Sequence, residues 1–219
     1  MTINARGKFD EVSCLIHSTS FPNFMQMLTS GIIKANPGDP PRIIKGNTEI
    51  LNKGAFFQLV LKCDDGVPLD SLCMQDVILV FSKNVLESQP YHISNNWVGG
   101  MIFSPLIPLK ISIVAKSYDD VNHYIADNMD KLCQGTHYKN EVVFQENIPM
   151  DFLIEVWICN LPIITKQINT RQSNGSYTRE IDIVDFDPDR IKVMVERALS
   201  KFNKIIPVKV LNHIPEINE

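Results

Sequence analysis

Residues 15–33 read LIHSTSFPNFMQMLTSGII, and the order of residue types in this stretch decides the fold. The apolar residues before His17 read as a short first strand over 13–16 that ends at the histidine. Phe21, Phe24, Met25 and Leu28 then recur at i, i+3, i+4, i+7, which is one apolar face of a helix. Ser20 stands where a cap is wanted, Pro22 suits the first turn, and Gly31 ends the helix. The stretch is therefore strand, polar turn, capped helix, glycine, apolar pair. A histidine at a strand end can present its imidazole into a cleft while the following helix holds the turn, although a lone histidine is more often a satisfied structural residue.

Outward from this stretch, strands are expected at 56–62 (FFQLVLK), 77–82 (VILVFS), 109–115 (LKISIVA), 141–145 (EVVFQ) and 153–159 (LIEVWIC), with a last one at 205–210. Val121, Ile125, Met129 and Leu132 predict a helix over 119–132. Ile191, Met194, Val195, Ala198, Leu199 and Phe202 predict a second amphipathic helix. Asp187 or Asp189 lies near its start and Lys201 near its end, as the helix dipole favours. Pro and Gly punctuate the chain at 36–42 (NPGDPPR), 63–68 (CDDGVP), 95–100 (NNWVGG) and 172–177 (QSNGSY). The last of these is the candidate boundary of a C-terminal appendage. Many short strands and few helices, without strict alternation, make an α+β fold and disfavour a doubly wound parallel sheet.

The chain has 219 residues, 44% of them hydrophobic and 21% charged, which suits one large domain with a sizeable core and excludes a mainly disordered chain. A net charge of -4 provides no overall basic field for a phosphate backbone. Cysteines stand at 14, 63, 73, 133 and 159, an odd number without a CxxC pair, and read as free thiols in a reducing compartment. The histidines show no metal-ligand spacing, so no metal is expected. There is no apolar leader and no apolar run of about 18 residues, so the expected location is intracellular and cytoplasmic, with no membrane contact. GxxxxGK[ST], GxGxxG after a strand and GxSxG are all missing, which removes the P-loop, Rossmann and α/β-hydrolase readings.

The sequence H-x-T-S at His17–Ser20, followed by a helix closing in S-G-I-I, resembles the opening motif of the ADP-ribosyltransferase superfamily in its His-Tyr-Glu branch. His17 and Thr19 take the positions of the family histidine and threonine, and Ser18 stands where a glycine is frequent. Gly54-Ala55-Phe56-Phe57 is similar to the second motif, with Phe56 at the position of the family tyrosine. Glu141-Val142-Val143-Phe144, with Ile148-Pro149 after it, resembles the third motif, whose strand begins with the catalytic glutamate. Ile148-Pro149 and the apolar run Phe152-Leu153-Ile154 after it are similar to those of the bacterial DNA-modifying toxins and related uncharacterised members of the superfamily. The resemblance spans about 15–158, two thirds of the chain.

What the resemblance implies is an ADP-ribosyltransferase-like fold of split antiparallel β-sheets over 1–164, with a C-terminal helix–strand extension over 165–219 packed on the same domain. It implies NAD+ as a substrate and no metal. Glu141 would favour the positive charge that develops on the ribose as the nicotinamide bond breaks. His17 and Thr19 would hold the dinucleotide, with His17 on a ribose hydroxyl of the adenosine side. Phe56 would stack on the nicotinamide. Arg42, in the proline-rich loop, is the candidate partner of the pyrophosphate. Tyr91, His92 and Trp97, read as a loop beside Gly99-Gly100, are candidates for the substrate loop.

The acceptor is expected to be a macromolecule: a protein, or a single base of a single-stranded or flipped nucleotide. A non-catalytic interaction module on the same fold is the alternative, motivated by Phe56 and Ser18. A third reading, an RNA 2′-phosphotransferase, needs arginines clustered at a phosphate. Arg6, Arg42, Arg171, Arg179, Arg190 and Arg197 lie mostly outside the motifs.

Overall fold

A computed structural model of the chain describes residues 12–35, 54–62, 66, 69, 77–94, 113–115, 141–160, 163–171, 177–184 and 187–215. Strand β1 (Val12–Thr19) leads into α1 (Phe21–Ser30) and the short β2 (Ile32–Ile33). Then follow β3 (Ala55–Leu61), β4 (Val77–Phe81), β5 (Tyr91–Ser94), β6 (Ile113–Ala115), β7 (Glu141–Phe144), β8 (Ile148–Pro149) and β9 (Leu153–Cys159). A hairpin of β10 (Ile163–Arg171) and β11 (Tyr177–Val184), helix α2 (Pro188–Lys201) and β12 (Val208–Leu211) follow, and short 3-10 turns lie at Lys83–Glu87 and Met150–Phe152.

Eight strands form one sheet in the order β12-β9-β4-β1-β3-β7-β5-β6. Its pairs are antiparallel except β12 beside β9, which run parallel. Parallel neighbours need a crossover, and the chain between β9 and β12 includes α2.

Strand alternation sorts the apolar side chains into two layers. Leu15, Phe57, Leu79, Phe81 and Val156 face the layer that both helices cover, with Phe24 and Leu28 from α1 and Val195, Ala198 and Leu199 from α2. Cys14, Ile16, Val60, Ile78, Val80 and Trp157 make a smaller layer on the other face. A register shift between Val12 and Cys14 puts Val12 in the same layer as Leu15, against simple alternation.

Helix α1 runs as the spacing predicts, and Gly31 closes it at φ 71° with its N–H donating to Met27 O over 2.8 Å. Ser20 occupies the N-cap position, yet its side chain makes no cap hydrogen bond. In α2 the cap is made, because Asp187 Oδ1 accepts from Arg190 N over 3.0 Å.

Several boundaries differ from the sequence reading. β1 continues past His17 to Thr19, since β4 offers it a ladder as far as Thr19↔Val77. The last strand begins at Val208 instead of 205, where β12 first finds a partner in Val156. Of the strand expected at 109–115 only Ile113–Ala115 lies among the described residues, and the helix expected at 119–132 lies outside them. Residues 172–176 lie between two strands that pair with each other from Ile163↔Val184 to Arg171↔Tyr177. Residue 164, the last of the expected first segment, lies in β10. Among the described residues, no helix is long and apolar enough to cross a membrane.

Candidate active site

The site is built where the sheet comes apart. β1 and β3 pair from Val12↔Leu61 to Ile16↔Gln58, and there their ladder ends. Both strands continue, β1 along β4 to Thr19↔Val77 and β3 along β7 to Ala55↔Phe144. The two strands thus part in mid-sheet, each still held by its outer neighbour.

His17 is the first β1 residue past the last pair. Its Nδ1 lies 2.7 Å from the main-chain carbonyl of Phe56. A carbonyl only accepts, so Nδ1 carries the proton and donates. The ring centroid lies 5.4 Å from that of Phe57. Burial pushes the imidazole below the ordinary histidine value, and the bond to Phe56 opposes this less strongly. At neutral pH His17 is therefore a neutral ring with Nδ1–H engaged, so that its Nε2 is an acceptor.

Glu141 opens β7 and is buried, with 4% of its surface exposed. It stands opposite Gln58 of β3 and Ser94 of β5. His17 on β1 and Glu141 on β7 flank β3, so their backbones stand on the order of 10 Å apart by strand spacing. Thr19 is buried beside Val77. By alternation His17 and Thr19 belong to the face of Phe57 and Leu79, whereas Ser18, Phe56, Gln58 and Glu141 belong to the opposite one. Phe56 is partly buried and belongs to neither apolar layer; the core aromatic of this strand is Phe57.

Gln58 is the residue that sequence reasoning passed over. Its Oε1, and the Oγ of Ser18, are buried with no hydrogen-bond partner among the described residues. The signal was present in FFQLVLK, where one amide interrupts an apolar strand. Unpaired buried oxygens cost about 1–3 kcal/mol each, and they stand on the face that carries Glu141.

Two motif tails that are far apart in sequence meet here. Ile32 and Ile33 pair with Pro149 and Ile148, and Met150 N donates to Gly31 O over 2.9 Å. Gln89 braces the turn after β7, where its Oε1 accepts from Glu146 N (3.1 Å) and its Nε2 donates to Asn147 O (3.3 Å). Gly54, just before β3, has φ 137°, and a Cβ there would collide with the Phe144 carbonyl and meet Val143 Cγ1 at 2.6 Å.

The segment expected to be a substrate loop is corrected in part. Tyr91 and His92 lie on β5, paired with Phe144 and Val143 of β7. Tyr91 is 2% exposed and its ring packs on Phe144 at 5.4 Å, so it is a core residue. The alternation of strand β5 explains this, because the face of Tyr91 and Ile93 is the helix-covered one. Trp97 and Arg42 lie outside the described residues. Among the described residues, no three His, Cys, Asp or Glu side chains gather as a metal site.

No protein-family model and no curated protein matches the sequence. Solved structures do. The chain is similar to DarT of Thermus sp. 2.9 in complex with NAD+, with a TM-score of 0.52 over 91% of this chain and 96% of that one, at 11% identity. The fold is that of an ADP-ribosyltransferase. The same DarT in complex with ADP-ribosylated ssDNA gives a TM-score of 0.53 over 91% of this chain and 94% of that one, at 10% identity. Its complex with carba-NAD+ gives 0.52 over 91% and 96%, also at 10% identity. Identity this low carries the likeness to DarT at the level of fold.

Proposed function

We propose that the chain is an NAD+-dependent ADP-ribosyltransferase whose acceptor is a base of single-stranded nucleic acid. The observation that carries this reading is the parted seam. A neutral, oriented histidine stands on one lip of it, and a buried glutamate on the strand beside the other. The DarT structures of the same fold, in complex with NAD+ and with ADP-ribosylated ssDNA, support both the donor and the acceptor.

In this reading His17 accepts a ribose hydroxyl of the adenosine side through Nε2, while Phe56 O holds the ring in place. Thr19 supports the same end, and Arg42 pairs with the pyrophosphate. Phe56 offers a partly exposed ring to the nicotinamide. Glu141 accepts a hydroxyl of the nicotinamide ribose and stabilises the oxocarbenium character at C1′. The C1′–N bond breaks with its electron pair leaving on nicotinamide. A heteroatom of the acceptor base bonds to C1′ and loses its proton to Glu141 or to water. Residues 1–164 would carry this chemistry, with 165–219 as an extension.

The test is NAD+ turnover with a single-stranded oligonucleotide, read as nicotinamide release and as the mass added to the strand. Glu141→Gln is expected to lower the rate by about 10^2–10^3-fold. Wild-type turnover in that variant would sink the reading. Phe56, which lacks a hydroxyl, and Ser18, whose side chain stands at a glycine position of the motif, favour a second reading as an inactive binding module. That reading predicts NAD+ binding without release, with or without the strand.

A further inference from the structure

The hairpin of β10 and β11 forms its own two-stranded sheet and pairs with no strand of the large one among the described residues. Its register sorts its residues into two unlike faces. Gln167, Asn169 and Arg171 are partnered by Ile181, Arg179 and Tyr177, and these six share one face. Lys166, Ile168 and Thr170, partnered by Asp182, Glu180 and Thr178, share the other. The first face carries two arginines and no acid. The second carries one lysine against two acids.

We propose that the first face of this hairpin is the surface that holds single-stranded nucleic acid for the reaction, an inference that rests on the acceptor reading above. The chemistry of the face fits that partner. Guanidinium groups match phosphate oxygens in a two-pronged geometry. Arg171 stands directly opposite Tyr177, so a cation and an aromatic ring occupy one cross-strand pair, the combination on which a strand's phosphates and bases are held. Asn169 and Gln167 add amides, which pair with base edges. Two of the arginines that lie outside the catalytic motifs are thereby brought together by one register.

Charge distinguishes this partner from a duplex. A duplex calls for a broad basic field, and the chain has a net charge of -4. A local, acid-free strip one ribbon wide suits a single strand.

The experiment is fluorescence anisotropy of a labelled, mixed-sequence single-stranded oligodeoxynucleotide with the full chain, in the absence of NAD+. Arg171→Ala combined with Arg179→Ala is expected to weaken binding at least tenfold. The slope of log affinity against log salt should fall by about 1.4, or about 0.7 for each phosphate that an arginine no longer neutralises. Arg171→Lys combined with Arg179→Lys keeps the charge but not the fork, and should give an intermediate affinity with a near-native slope. Lys166→Ala, on the opposite face, should change affinity less than twofold.

Wild-type affinity in the double alanine variant would overturn the proposal, as would an equal loss in Lys166→Ala, which would mean diffuse attraction. A wild-type chain that binds no strand while cleaving NAD+ would overturn this surface alone. A chain that binds the strand through these arginines but never cleaves NAD+ would overturn the transferase reading and leave the surface standing.

Discussion

His17 Nδ1 donates to the main-chain carbonyl of Phe56 over 2.7 Å, and so joins β1 to β3 one residue past the point where their own ladder ends. A side chain takes over where main-chain pairing stops. One hydrogen bond therefore does two things. It limits how far the strands part, and it selects the tautomer that leaves Nε2 as an acceptor. In the proposed reading, stability and NAD+ binding are linked through this one ring.

The link has a pH signature. Burial holds His17 below its ordinary value of 6.5 in the folded chain. The unfolded state then binds the proton more readily, so His17 costs nothing above 6.5. As pH falls from 6.5 toward the lower folded value, stability is lost by up to about 1.4 kcal/mol per pH unit. Denaturant melts at pH 7.5 and 5.5 should show this loss, and His17→Gln should flatten it. An unchanged slope in the variant would assign the effect to another group.

The same ring predicts a binding defect distinct from the catalytic one. His17→Ala should raise the Kd for NAD+ about tenfold, the range of a lost hydrogen bond to a buried group. Glu141→Gln should leave that Kd within a few-fold while lowering nicotinamide release by about 10^2–10^3-fold. Calorimetric titration of both variants separates the two roles, and equal Kd changes would merge them.

Gly54 is constrained twice, by φ 137° and by the β7 main chain that a Cβ would strike. Gly54→Ala should cost about 1–3 kcal/mol and should disturb the β3–β7 register that sets Gln58 opposite Glu141. Chemical denaturation reads the first effect and NAD+ turnover the second. A variant as stable as wild type would show that β7 yields to the added methyl group.

Away from the site, Glu155 joins two strands. It accepts from Trp157 Nε1 over 2.7 Å and from Lys209 Nζ over 2.6 Å, across the parallel β9–β12 pair. Glu155→Ala leaves the indole N–H of the buried Trp157 without this acceptor, which costs about 1–3 kcal/mol. Lys209→Ala, which removes an exposed ion pair, should cost about 0–1 kcal/mol. Equal losses in the two melts would mean that the indole has found another acceptor.

The buried Ser18 hydroxyl gives a prediction of the opposite sign. With no partner among the described residues, its removal in Ser18→Ala should leave stability unchanged or raise it by about 1 kcal/mol. A loss of more than that in a thermal melt would mean that the hydroxyl is hydrogen-bonded in solution.

Local pattern alone determined much of this molecule. Helices α1 and α2 follow from apolar spacing and their end residues, and β3, β4, β7 and β9 from apolar runs of strand length, because those signals are read over a few neighbouring residues. The glutamate at the start of a strand was legible for the same reason, whereas the strand expected to end at His17 runs on to Thr19 because β4 continues its ladder. Other features depended on which strands pair. The order β7-β3-β1-β4 brings Glu141 within two strands of His17, the ladder stops at Ile16↔Gln58, and Ile32–Ile33 meets Ile148–Pro149. Tyr91 moved from a loop to the core because β5 found β7. Pairing is decided by contacts between residues far apart in sequence, and register then assigns each side chain to a face. No short window of sequence contains that information, so the buried Gln58 oxygen with no partner among the described residues, and the two faces of the hairpin, belong to the tertiary structure alone.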